Sequence, residues 1–182
     1  MSTVVLSAID AEAAVGAVEK LRDGLASSVE WVDLGRIEFD PCLACGGCAK
    51  VPRCVLPDEF TETIARLFQC HRLILLTPIF LGVHTPLMKR AIDRLMPLGG
   101  GPFTVRQGEM HHESRMERPF SLTGIGLLDG AATADEGDTF RMLIARHAVN
   151  LACPSYEAHV ARSMGEVAEV LAGVLDCTGS ER

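Results

Sequence analysis

Five times along this chain a short apolar run is followed by a stretch with helical periodicity, and that alternation restricts the fold more than any other feature. Residues 4–9 read as a buried first strand. Residues 11–27 carry Val15, Val18, Leu21 and Leu25 at helical spacing, with charged residues opposite. Residues 29–34 form a second strand. Pro57, Asp58 and Glu59 read as the first turn of a helix with acidic residues at its positive end, and Phe60, Ile64 and Leu67 face inward. Residues 73–76 are continuously aliphatic, the mark of a strand covered on both faces, and Thr77-Pro78 closes it. Pro86 opens a helix with Met88, Ile92 and Leu95 inward. Residues 120–128 give a fourth strand, residues 138–149 a helix capped by Asp138, and residues 156–161 a fifth strand. Ser163 and Glu166 then make a capping box for a last helix through Leu175.

That order demands a doubly wound, five-stranded parallel sheet with helices on both faces, and 182 residues suit one domain spanning 1–182. Ligands of such sheets bind beyond the carboxyl ends of the strands, which here are residues 7–10, 77–85 and 128–138.

A cysteine-rich loop at 40–57 interrupts the pattern. Cys42, Cys45, Cys48 and Cys54 form a C-x2-C-x2-C-x5-C array around Gly46 and Gly47. Ligands can fan outward from such a loop to the separate irons of a [4Fe–4S] cubane, whereas one zinc needs all four sulfurs on a single atom, usually as two separated pairs. The spacing favours the cluster and leaves zinc or unmetallated thiols as alternatives.

Seven cysteines, four of them in one loop, do not suit a secreted disulfide framework. The first residues lack a basic segment and their apolar run is broken by Asp10 and Glu12, so neither a signal peptide nor a membrane anchor is expected. A net charge of −7 without a basic run argues against nucleic acid and anionic membranes as partners, and cytoplasm is the expected location. Residues 98–118 hold three consecutive glycines, two prolines and mixed charges, and read as a long loop that orders against a ligand or a neighbouring subunit.

From about residue 4 to residue 98 the chain resembles the iron–sulfur flavoproteins, members of the broader NADPH-dependent FMN reductase group with the flavodoxin-like fold. The cysteine array and the segment TPIFLGVHTPLMKRAIDR carry the resemblance. It implies a [4Fe–4S] cluster on Cys42, Cys45, Cys48 and Cys54, and an FMN whose ring packs against Thr77, Pro78, Ile79, Phe80, Leu81 and Gly82. Ser7 falls in the phosphate loop, and Lys89, Asp93 and Arg94 match a mostly structural helix. The implied activity is an NAD(P)H-dependent oxidoreductase that moves electrons through FMN and the cluster to a small acceptor or an electron carrier. It also implies a homo-oligomer with the flavin near a subunit boundary.

The chain departs from that family in its first loop, where Ser7-Ala8-Ile9-Asp10-Ala11-Glu12-Ala13 offers one hydroxyl, no glycine and no cation. Asp10 and Glu12 stand where a phosphate dianion belongs, which predicts weak, substoichiometric FMN. A flavin-free scaffold that keeps the cluster as relay, sensor or staple for a partner subunit is the alternative. Further candidates are His84 beside the flavin turn, His111, His112 and Glu113 as metal ligands, and Arg106, Arg115 and Arg118 as phosphate or subunit contacts. Cys70 and Cys177 read as packing residues, and Cys153 has no assigned place.

Overall fold

A computed structural model describes residues 2–9, 23, 28–128, 130 and 133–176. The strands are β1 (Thr3–Ser7), β2 (Val29–Asp33), β3 (Arg72–Phe80), β4 (Val83–His84), β5 (Gly99–Arg106), β6 (Glu109–Ser114), β7 (Ser121–Leu128) and β8 (Tyr156–Ala161). The helices are α1 (Gly47–Lys50), α2 (Glu59–Leu67), α3 (Pro86–Asp93), α4 (Ala134–Asn150) and α5 (Met164–Asp176). Five strands pair in parallel in the order β2-β1-β3-β7-β8, and β4 adds antiparallel to β3. This is the flavodoxin-like order, with its switch point between β1 and β3.

Alternate residues of each strand divide the core between the two faces of the sheet. Val4, Leu6, Leu73 and Leu75 pack with Phe60 and Ile64 of α2, Met88 of α3 and Phe140 and Ile144 of α4. Val5, Ile74, Leu76 and Ile125 pack on the other face with Val167, Leu171 and Val174 of α5. Glycine lets α4 lie close to β7, because a Cβ on Gly124 would come within 2.4 Å of Ile144. Among the described residues no helix is long and apolar enough to cross a membrane.

Three sequence expectations need correction. The third strand does not close at Thr77-Pro78 but runs to Phe80. Strand β1 ends opposite Leu76, so Pro78 lies where β3 is flanked by β7 and its missing N–H breaks no ladder to β1. Helix α4 begins at Ala134 behind Thr133 rather than at Asp138, with Asp135 and Glu136 at the positive end of its first turn.

The expected loop at 98–118 is an antiparallel hairpin, in which Phe103, Thr104, Val105 and Arg106 of β5 face His112, His111, Met110 and Glu109 of β6. Gln107 and Gly108 turn the chain with φ of 53° and 81°, the left-handed pair that suits a two-residue hairpin turn. The run of glycines at its start hides the strand signal, since glycine is a poor strand former. The first expected helix, at 11–27, lies outside the described residues apart from Asp23, as does Cys177.

Candidate cofactor sites

The cysteine loop leaves β2 and returns to the sheet through α2, and its two ends are tied together by one ion pair. Asp58, the N-cap of α2, accepts from Thr61 N at 3.2 Å and from Asp40 N at 3.1 Å. Its two oxygens also receive the Arg94 guanidinium at 2.6 and 2.9 Å, and Arg94 Nη1 donates to the Asp40 carbonyl at 2.7 Å. The Arg94 side chain is 0% exposed. Burial works to raise the Asp58 pKa, but the bonds from Arg94 and the two amides prevail and hold it below the ordinary carboxylate value.

Within the loop, Ala44 and Gly46 take left-handed φ values of 49° and 70°, which fold the chain back on itself ahead of the single turn of α1. The C-terminal carbonyls of that turn are met from outside. Arg115 donates to the carbonyls of Cys48 at 2.5 Å, Ala49 at 2.8 Å and Val51 at 3.3 Å. Arg90 donates to the Phe39 carbonyl at 3.3 Å. Gly101 of β5 has its use here, since a Cβ on it would sit 3.2 Å from the Ala49 carbonyl.

All four loop cysteines line one cavity of about 370 Å³, together with Arg94 and His112. Burial pushes the Cys48 thiol up, its backbone amide pulls it down, and Cys42, Cys54 and Cys45 each push it up again. The Cys48 thiol thus feels the other three, yet among the described residues no three metal-binding side chains close on one ion position. They surround a volume. Cys70 and Cys153 behave differently, for burial raises both thiols to about 12, with Cys70 adding to the shift of Cys153.

At the end of β3, residues 79–84 form a second tight hairpin, with Ile79 opposite His84 and Phe80 opposite Val83. Leu81 and Gly82 make the turn at φ of 50° and 80°, and a Cβ on Gly82 would meet Thr139 at 2.8 Å. Phe80 and Leu81 are 63% and 74% exposed. Thr77 lies buried beneath, its Oγ1 donating to the Pro78 carbonyl at 3.0 Å and accepting from Thr85 N at 3.3 Å.

A cleft of about 730 Å³ opens beyond the carboxyl ends of β3 and β7, with Pro78, Ile79, Phe80, Leu127, Leu128 and Ser163 among its walls. Of the flavin candidates, Pro78, Ile79 and Phe80 therefore share this cleft, while Leu81 and Gly82 stand at the hairpin tip. Ser7 is fully buried at the end of β1, where its Oγ accepts from Ile9 N at 3.4 Å. Asp10 and Glu12 lie outside the described residues.

The histidines divide in two. His84 and His147 stack with ring centroids 5.3 Å apart and Nε2 atoms at 3.1 Å. Desolvation lowers both, His147 to about 4, with His84 and Lys89 adding to the fall of His147. His111 and His112 do not converge on a metal. His111 is buried with Nε2 3.5 Å from Glu109 Oε2, outside hydrogen-bond geometry, whereas His112 tilts against Phe103 and reaches the cysteine cavity. Arg106 and Arg115 bind backbone carbonyls rather than standing free. Sequence reasoning passed over Arg94 as a contributor to the cysteine site; its only local signal is a cation at the end of an amphipathic helix. Leu128 lies at an expected ligand-binding strand end, whereas Leu127 and Ser163 of the cleft were missed.

The chain is 28% identical to an iron–sulfur flavoprotein from Methanocaldococcus jannaschii over 69 residues, 38% of this chain and 36% of that protein. It is 24% identical to an iron–sulfur flavoprotein from Methanosarcina thermophila over 95 residues, 52% of this chain and 50% of that protein. The matched region thus spans half the length of these curated relatives or less. Among solved structures, an azoreductase superposes with a TM-score of 0.63 at 11% identity, covering 93% of this chain and 98% of the other, a likeness of fold. The family model for NADPH-dependent FMN reductase matches residues 9–116, more than half of the chain, from the end of β1 through the β5–β6 hairpin, and the protein belongs to that family.

Proposed function

We propose that this protein is an NAD(P)H-dependent flavin oxidoreductase that carries a [4Fe–4S] cluster on Cys42, Cys45, Cys48 and Cys54 and passes electrons to a small acceptor or an electron carrier. The observation that carries the reading is the cavity walled by all four cysteines, in a chain of the FMN reductase family. Four thiols that surround a volume rather than a point match a cubane, where each sulfur takes its own iron, better than a mononuclear zinc. The names of the two iron–sulfur flavoproteins support the same cofactor.

The cofactors supply the one- and two-electron chemistry, and the protein supplies position and electrostatics. The Asp58–Arg94 pair and Arg115 fix the backbone that carries the thiols, so the ligands are held before iron arrives. Pro78, Ile79 and Phe80 offer a flat, apolar wall at the strand ends for the isoalloxazine ring, and no side chain is required as acid or base. The exposed Phe80, Leu81, Phe103, Val105 and Met110 suit burial against a second copy, consistent with a homo-oligomer, and a cytoplasmic location fits the reduced thiols.

A flavin-free relay is the second reading. It is favoured by Ser7, whose hydroxyl is buried and turned toward its own loop, and by a following sequence with two carboxylates and no cation. Anaerobic purification with iron, sulfide and flavin analysis, followed by an absorption spectrum before and after NADPH, tests both. A broad cluster shoulder with resolved flavin maxima that bleach on NADPH is expected. Cluster absorbance without flavin selects the second reading, and stoichiometric zinc without sulfide removes both.

A further inference from the structure

Both terminal nitrogens of Arg94 are fully engaged, Nη1 on the Asp40 carbonyl and Asp58 Oδ2, and Nη2 on Asp58 Oδ1 and Thr61 Oγ1. Its Nε is buried and has no hydrogen-bond partner. A guanidinium is a rigid planar fork, so once the two ends are fixed on Asp58 the direction of Nε–H is fixed too. The side chain forms part of the wall of the cysteine cavity, and its charge interacts with Cys54 there. Cys54 is also the thiol at the end of the loosest spacer in the array, where an external tether has the most to order.

We propose that Arg94 is a positioning residue for the cluster, its Nε–H donating to the Cys54 thiolate so as to fix that ligand and raise the cluster's reduction potential. This rests on the cluster reading above. A bare thiol is a weak acceptor, but an iron-bound thiolate carries charge and is the partner that this buried N–H lacks. Reduction adds negative charge to the cluster, so a fixed hydrogen bond and a nearby cation both favour the reduced state. Arg90 and Arg115 hold the same loop through backbone carbonyls and serve as controls.

The test begins with iron and sulfide in the anaerobic wild-type protein, whose absence would sink the cluster reading and this proposal with it. With the cluster present, Arg94→Lys keeps a cation for Asp58 but removes the separate Nε–H that the guanidinium holds in a fixed direction. The pair Arg94→Met with Asp58→Asn removes the charges together. Both are expected to retain iron and to show a more negative potential in an EPR-monitored redox titration, while Arg90→Lys and Arg115→Lys match the wild type. Wild-type protein grown on arginine labelled with 15N in the guanidinium group only should further show a 15N coupling to the reduced cluster in pulsed EPR. That coupling should survive in the Arg90 and Arg115 variants and vanish in Arg94→Lys. An unchanged potential in a loaded Arg94→Lys protein, or no 15N coupling in the loaded wild type, overturns the role of Arg94 and leaves the cluster standing. If the Arg94 variants do not fold, the wild-type coupling and its persistence in the two controls decide alone.

Discussion

The cysteine loop and the 79–84 hairpin both follow the carboxyl end of a parallel strand, and they are held in opposite ways. The loop is pinned from outside by Arg90, Arg94 and Arg115, and its ends are tied through Asp58. The hairpin stands on two ladder pairs and leaves Phe80 and Leu81 largely in solvent. On the proposed reading the loop holds four covalent ligands at fixed separations, and such a site gains from a backbone anchored in advance, since any slack lowers metal affinity. A site that admits a planar ring and has apolar surface left to bury has no such need, and exposed hydrocarbon is its usual mark.

The sharpest break in that comparison is loss of a ligand. Cys42→Ala, Cys45→Ala or Cys48→Ala should abolish iron and sulfide loading in anaerobic protein, whereas Cys70→Ala should load as the wild type does. The loop's anchorage comes next. Asp58→Ala leaves the Arg94 charge buried without its partner and removes the cap of α2, so urea denaturation should show a loss of about 3–5 kcal/mol.

The pH response of the buried histidine pair is of similar or smaller size. His147 is lowered to about 4 from 6.5, so the unfolded chain binds more protons between those values. Stability is therefore full above pH 6.5 and falls as pH drops through the window toward 4, by roughly 3 kcal/mol for this one group. His147→Asn should flatten the fall in denaturation midpoint over that range; an unaltered profile would remove His147 as its source. The smallest effect belongs to the hairpin side. Thr85 caps α3 by accepting from Met88 N at 3.4 Å, and Thr85→Ala should cost about 1 kcal/mol without altering iron content. Iron loss in that variant would mean the two regions are coupled.

The parallel sheet was legible because each strand is a local apolar run and the crossover rule restricts what alternation can build. The gathering of the four loop cysteines around one cavity was legible from their spacing. The β5–β6 hairpin was not, because Gly99 and Gly100 serve close approach to the partner strand and Gly101 serves approach to the Ala49 carbonyl, in a segment some fifty residues earlier in the chain. Arg94 was missed for the same reason: its burial depends on Asp58, and nothing in the periodicity of α3 distinguishes it from the solvent-facing Lys89 and Arg90. Exposed Phe80 and Leu81 were expected at the flavin turn, but the walls contributed by β7 and the start of α5 depend on strand order and carry no local motif.

One consequence follows from the contrast among the thiols. Cys70 is buried and Cys153 half-buried, and both resist ionisation to about 12, so near neutral pH they are poor nucleophiles. The loop cysteines are partly or fully open to solvent. Brief iodoacetamide labelling read by peptide mass therefore becomes an occupancy gauge. Cys42, Cys45, Cys48 and Cys54 take the label in metal-free protein and escape it when iron is bound, while buried Cys70 provides an internal, unlabelled reference in either state.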